Sequence, residues 1–315
     1  MNTPMIQTKE LKKYFSTKKG ELHAVDGVNI SIEKGETLGV VGESGCGKST
    51  LGRVILKLLE PTSGEIYFEG KDISNFSRSQ MKQMRKEMQI IFQDPFGSLN
   101  PRMTVSEIIA EPMKVTKMYT KDSDIMEKVF DLMGTVGLAE RFVNTYPHEL
   151  DGGRRQRIGV ARALSVNPKF IVCDEPVSAL DVSIQAQILN LMMDLQENMN
   201  LTYMFITHDL SVVKHISNNI AVMYLGQCVE FAPTNELFKN PAHPYTKALL
   251  EAIPIPSLKH KKELSVISGE VTSPINPKPG CRFALRCPYA KPQCIEPGLK
   301  LKEIGPRHSV ACVLY

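Results

Sequence analysis

The run Gly42-Glu43-Ser44-Gly45-Cys46-Gly47-Lys48-Ser49-Thr50 contains the eight-residue pattern G-x-x-x-x-G-K-[ST]. It follows an apolar run, Leu38 to Val41, and leads into a helix-like stretch that starts near Leu51. A strand, a glycine-rich turn and a helix in that order aim the backbone N–H groups of the turn inward, and the helix N-terminus adds its partial positive charge. Such a loop is built to hold phosphates. Lys48 is placed to meet the β- and γ-phosphates and Ser49 to hold Mg²⁺, so the chain is expected to bind a nucleoside triphosphate.

The chain of 315 residues is long enough for one large core with a small appended domain. Its 38 lysines and arginines barely exceed its 34 aspartates and glutamates, and a net charge of +4 leaves no nucleic-acid footprint. No apolar run approaches the roughly 20 residues that span a bilayer. The start, Met1 to Thr8, lacks the charged-then-apolar pattern of a signal peptide. A cytosolic protein that can dock on membrane proteins is expected.

Strand-like runs fall at Met5 to Leu11, Ala24 to Ile32, Leu38 to Val41, Gly64 to Phe68, Met88 to Phe92, Phe170 to Cys173, Tyr203 to Ile206 and Ile220 to Tyr224. Between about Thr104 and Ala163 the apolar spacing becomes helical, and a further helical run covers Ile184 to Glu197. Strands alternating with helices predict an α/β fold on a mainly parallel sheet, with the long helical stretch (about 100–163) as a subdomain. At Pro254 to Lys262 the composition turns proline-rich and then basic, which predicts a linker. The expected domains are therefore 1–255 and 256–315. Seven prolines from Pro274 to Pro306 deny the second of these long helices, so it should be loop-rich and in need of a staple.

Two further motifs carry chemistry. The run Phe170 to Cys173 ends in Asp174 and Glu175; in a nucleotide-binding core the first acid reaches Mg²⁺ through its water shell and the second polarises the attacking water. Upstream, Leu150-Asp151-Gly152-Gly153-Arg154-Arg155-Gln156-Arg157 opens a helix just before that strand. Together these residues resemble the nucleotide-binding subunits of ABC transporters over about residues 5–255. The resemblance implies a P-loop NTPase fold of the ABC type that binds ATP and Mg²⁺. It makes Gln93 the glutamine that touches Mg²⁺, Ser178 to Asp181 a dimer-contacting loop, and His208 the sensor of the γ-phosphate. It also makes Phe15, with Tyr14 as understudy, the aromatic that stacks on adenine. Two such subunits then sandwich two ATPs, each held by one chain's phosphate loop and the other chain's signature segment.

Gln93 to Arg102, then His243 to Leu250, then a cysteine-bearing tail resemble more narrowly the ATPase subunits of oligopeptide/dipeptide importers, a group that includes nickel importers. This resemblance implies two transmembrane permease subunits, a second, non-identical ATPase subunit and an extracellular peptide-binding protein, with the chain peripheral on the cytoplasmic face of the membrane. One departure stands out. The signature usually reads L-S-G-G-Q, and here Asp151 and Arg154 replace the serine and the glutamine. Two like unit charges about 4 Å apart cost roughly 4 kcal/mol at an effective dielectric near 20, so Asp151 either opposes the partner's ATP or caps its helix and turns away.

Of seven cysteines, Cys46, Cys173 and Cys228 stand singly, whereas Cys281, Cys287, Cys294 and Cys312 crowd the end of the chain. In a reducing cytosol such a group reads first as metal ligation. The closely paired cysteines of most zinc sites are missing, and the importer resemblance points to a 4Fe-4S cluster; zinc and free thiols are the alternatives. Competing readings of the whole chain are a soluble ABC-type ATPase acting on nucleic acid or ribosomes, and a structural partner with little turnover. The modest charge opposes the first, and Glu175 and His208 oppose the second.

Overall fold

The computed structural model of the chain describes residues 3–253 and 273–315. They divide into two compact units, one of residues 1–75 with 207–315 and one of residues 76–206. The expected linker at Pro254 to Lys262 lies outside the described residues.

The first unit opens with a small antiparallel sheet. Strand β1 (Ile6–Thr17) pairs with β2 (Gly20–Val28) across a tight turn, and β3 (Ser31–Ile32) also pairs with β1. Ala24 to Ile32 was expected as one strand and breaks at Asn29. The Asn29 amide accepts the Glu10 N–H and donates to both the Glu10 carboxylate and Gly27 O, which completes a turn in place of a ladder. The buried strand β4 (Thr37–Val41) runs into the phosphate loop and helix α1 (Lys48–Ile55), and β5 (Ser63–Phe68) and β6 (Lys71–Asp72) complete the antiparallel sheet in the order β2-β1-β5-β6.

The second unit starts with α2 (Arg78–Met84) and β7 (Met88–Ile91), followed by α3 (Val105–Val115), α4 (Asp122–Thr135) and α5 (Gly152–Leu164). The helical stretch expected at about 100–163 is thus three helices. Each boundary has a local cause: Thr104 and Glu107 form a reciprocal cap at the start of α3, and Gly137, at φ 69°, stops the chain just after α4. Strand β8 (Phe170–Asp174), helix α6 (Val182–Met199) and β9 (Thr202–Ile206) follow, and β7, β8 and β9 lie parallel with β8 in the middle.

The chain then returns to the first unit through α7 (Leu210–Ile216), β10 (Asn219–Tyr224), β11 (Gln227–Pro233), α8 (Thr234–Lys239) and α9 (Pro244–Glu251). Strand β10 lies parallel to β4, and β11 folds back on β10 through Leu225 and Gly226, whose φ angles of 43° and 86° suit a tight hairpin. Residues 273–315 carry short helical turns and a terminal hairpin, β12 (Lys302–Gly305) and β13 (His308–Val310). Strand β13 pairs with β11, so the described part of the tail extends the sheet of the first unit. Beneath it, Val41, Val222, Tyr224, Tyr245 and Phe283 share one buried cluster, against which Cys281 and Cys287 pack.

Candidate nucleotide site

In the first unit, Gly42 to Thr50 leave β4 as a compact loop. Gly47 takes φ 101°, and a Cβ there would sit 1.9 Å from Ala24 O, so only glycine lets the loop lie against β2. Lys48 is 5% exposed, and its ammonium donates to Gly42 O at 2.7 Å and Glu43 O at 3.0 Å, which folds it back over the loop. Burial raises the Cys46 thiol above its usual range, against the pull of the neighbouring Lys48 charge. Ser44 and Gly45 are exposed, and Ser49 and Thr50 open α1. His208 is exposed just before α7, on a segment tied to β4 by the Thr207 N–H to Val40 O bond of 3.2 Å.

Two aromatics occupy the adenine-stacking region of the sequence, and they alternate along β1 to opposite faces. The Tyr14 ring stacks on His23 at 3.8 Å, and its hydroxyl donates to Asp26. Asp26 also receives Arg282 from the tail. Burial opposes the Asp26 charge, but the Tyr14 hydroxyl and the Arg282 guanidinium prevail and hold its carboxyl below the usual range. The Phe15 ring, partly exposed, carries the Lys13 ammonium 4.9 Å from its centroid.

In the second unit, Asp174 is 2% exposed at the end of β8. Glu175 follows with φ 48°, a left-handed backbone costly for any residue but glycine. Its N–H bonds to Ile206 O at 2.9 Å, its carbonyl accepts the Ser178 hydroxyl at 3.1 Å, and its carboxylate accepts the Gln93 amide at 2.9 Å. The structure thus brings together the residue expected to polarise water and the glutamine expected at Mg²⁺. The motifs alone gave no sign of this pairing.

The signature also resolves into contacts. The Asp151 Oδ1 atom accepts the Arg154 N–H at 2.8 Å and caps α5, while Oδ2 meets the Arg154 guanidinium at 2.6 Å. A Cβ on Gly153 would sit 2.7 Å from Ile184, which explains the second glycine by the close approach of α6. Asp181 caps α6 by accepting the Ile184 N–H at 3.0 Å. Arg155, which the motif does not single out, is 6% exposed; it donates to Pro147 O and His148 O and lies 3.6 Å over the Phe96 ring.

Cys281, Cys287, Cys294 and Cys312 line one small cavity together with His243 and Tyr289. All seven cysteines are free thiols. Burial pushes the Cys281 thiol up to about 11 and raises Cys287 and Cys312 as well. Among the described residues no three His, Cys, Asp or Glu side chains are grouped as ligands of a single metal ion. His243, buried, keeps Nδ1 as acceptor for the Tyr245 N–H at the start of α9, and burial lowers its pKa to about 4.

Residues 25–178 match the ABC transporter family, and residues 229–294 match the oligopeptide/dipeptide transporter C-terminal region. The oligopeptide transport ATP-binding protein AppF of Bacillus subtilis is 54% identical, covering 99% of this chain and 97% of its own. OppF of Salmonella typhimurium is 49% identical over 98% and 96%. Among solved structures, the dimeric post-hydrolysis state of the ATP-binding cassette MJ0796 with ADP and Pi superposes with a TM-score of 0.68 at 28% identity, over 73% of this chain and 99% of that one.

Proposed function

The chain belongs to the ABC transporter family, among the ATP-binding subunits that carry the oligopeptide/dipeptide C-terminal region, and we propose that it hydrolyses ATP to drive import of oligopeptides or dipeptides. The observation that carries this reading is the end-to-end match to a 54% identical relative named for oligopeptide transport. In this reading, which follows the family resemblance, Lys48 and the loop N–H groups would hold the triphosphate and Phe15 would stack on adenine, and Ser49, Gln93 and Asp174 are the residues that would hold Mg²⁺, directly or through water. When bound, Mg²⁺ neutralises charge on the β- and γ-phosphates. Glu175 orients and polarises the attacking water, with Gln93 fixing its carboxylate, and His208 reports on the γ-phosphate. Asp151, Gly152, Gly153, Arg154 and Asp181 face a second ATPase subunit and the ATP held there.

The assembly proposed is a pair of non-identical ATPase subunits below two permease subunits, served by an extracellular peptide-binding protein. No helix among the described residues is long and apolar enough to cross a membrane. The four tail cysteines are proposed to hold a 4Fe-4S cluster. The observation behind this reading is that all four thiols line one cavity. Bound there, a cluster would staple a proline-rich segment and lower the raised thiol pKa values.

Glu175→Gln tests the catalytic reading. In the assembled transporter it should retain ATP binding and lower hydrolysis at that site by roughly 10²- to 10⁴-fold. Near-normal hydrolysis at that single site would remove Glu175 from its role.

A further inference from the structure

Glu43 poses an electrostatic problem. It places a carboxylate inside a loop whose partner, a nucleoside triphosphate, is strongly anionic. The tail answers it. Both terminal nitrogens of Arg286 reach the Glu43 carboxylate, at 3.0 and 3.2 Å, and the arginine side chain is 7% exposed. The same guanidinium donates to the Tyr224 hydroxyl at 3.2 Å. The rest of Glu43 is held too: its N–H donates to the Tyr245 hydroxyl at 2.8 Å, and its carbonyl accepts from Lys48.

The grip is rooted in the cysteine region. Arg286 precedes Cys287 and ends a short helical turn, Ala284–Arg286, that begins beside Phe283. Phe283, 1% exposed, packs edge-on against Tyr224 at 5.3 Å and tilted against Tyr245 at 5.4 Å. One residue after Cys281, Arg282 reaches Leu225 O and Asp26. A bidentate arginine on a carboxylate fixes geometry as well as charge.

We propose that Arg286 is a positioning residue for ATP: it neutralises Glu43 and holds the phosphate loop in its binding shape, making the cysteine-bearing tail part of the nucleotide site's support. The inference rests on the reading that this loop binds ATP. Without Arg286, the Glu43 charge is released towards the phosphates.

The test is ATP titration of the assembled transporter with Arg286→Gln, Arg286→Lys and the double variant Arg286→Gln/Glu43→Gln. Arg286→Gln should raise the KM for ATP about tenfold, with the loss in KM rather than kcat, and added salt should shrink the defect because it screens repulsion at the partly exposed Glu43 carboxylate. Arg286→Lys should recover part of the affinity, and the double variant should return KM to within about threefold of the parent. Nucleotide binding by the full chain alone, read with a fluorescent ATP analogue, follows the same order where a variant assembles poorly. An unchanged KM in Arg286→Gln, or a defect that Glu43→Gln does not relieve, overturns the proposal. Failure of the parent chain to bind ATP, or binding insensitive to Lys48→Ala, would instead strike the underlying reading of the loop.

Discussion

Asp151 shows how one side chain can change a motif's meaning without breaking the site. A serine there offers a hydroxyl; the aspartate offers the same helix cap together with a charge, and the Arg154 guanidinium at 2.6 Å takes up that charge. The charge conflict read from the motif is therefore compensated within one turn of α5. Removing the compensation is the sensitive experiment. Arg154→Ala should slow the site built with this signature about five- to tenfold, about 1 kcal/mol for a half-exposed pair, and adding Asp151→Ser should restore it. Turnover with the other site blocked reads the effect, and an unaffected Arg154→Ala variant would mean that the Asp151 charge is not felt by the partner's ATP. Gly47 is a stricter case. At φ 101°, with Ala24 O only 1.9 Å from a built Cβ, Gly47→Ala must move the loop off β2, a strain of about 1–3 kcal/mol. Thermal melts should fall accordingly, and nucleotide binding should weaken in the same variant.

Among the elements, α5 does more than open with the signature. Arg155 spans from Pro147 O to the Phe96 ring, and Arg162 donates to Ser98 O at 2.6 Å, so the segment after Gln93 is pinned to the signature helix inside the second unit. Phe96 stays 65% exposed, with a cation against its ring. Arg155→Lys keeps the charge but loses the fork and the flat stacking surface, so urea unfolding should show a loss of about 2 kcal/mol, close to that of Arg155→Ala. Full stability in the lysine variant would show that charge alone suffices there. The cap of α3 is a simpler device: Thr104→Ala should cost about 1 kcal/mol by the same measurement.

At the scale of the molecule, the tail joins the first unit by three different means. Strand β13 adds to β11, the buried Glu230 accepts His308 at 2.8 Å together with the N–H groups of Ala242 and His243, and Arg282 and Arg286 reach Asp26 and Glu43. A cluster at the four cysteines would hold the loops between these anchors. Anaerobically purified transporter should accordingly be brown and contain about four irons per copy of this chain. Chelation should loosen residues 281–312 to proteolysis while β11 stays protected. Colourless protein with one zinc per chain would replace the cluster by a zinc site, and metal-free protein with a protected tail would remove both.

Local chemistry made much of this legible from residues alone. The loop declares itself by its spaced glycines before a lysine, Gly47 above all needing a backbone only glycine tolerates; β4, β8 and β9 show because buried parallel strands read as near-continuous apolar runs. Asp174 and Glu175 could be placed because a strand end is a fixed point. Hidden from that reading were the hairpin to β11, although Leu225-Gly226 marked its turn, and every partnership across long sequence separation: Gln93 with Glu175, Arg155 with Phe96, Arg282 with Asp26, and Arg286 with Glu43. Such pairs leave no periodicity or spacing behind. An arginine 243 residues from its carboxylate looks like any surface cation until the chain folds and burial makes pairing the cheaper state. The chemistry of the site was therefore written locally, while the support that holds it was settled by packing.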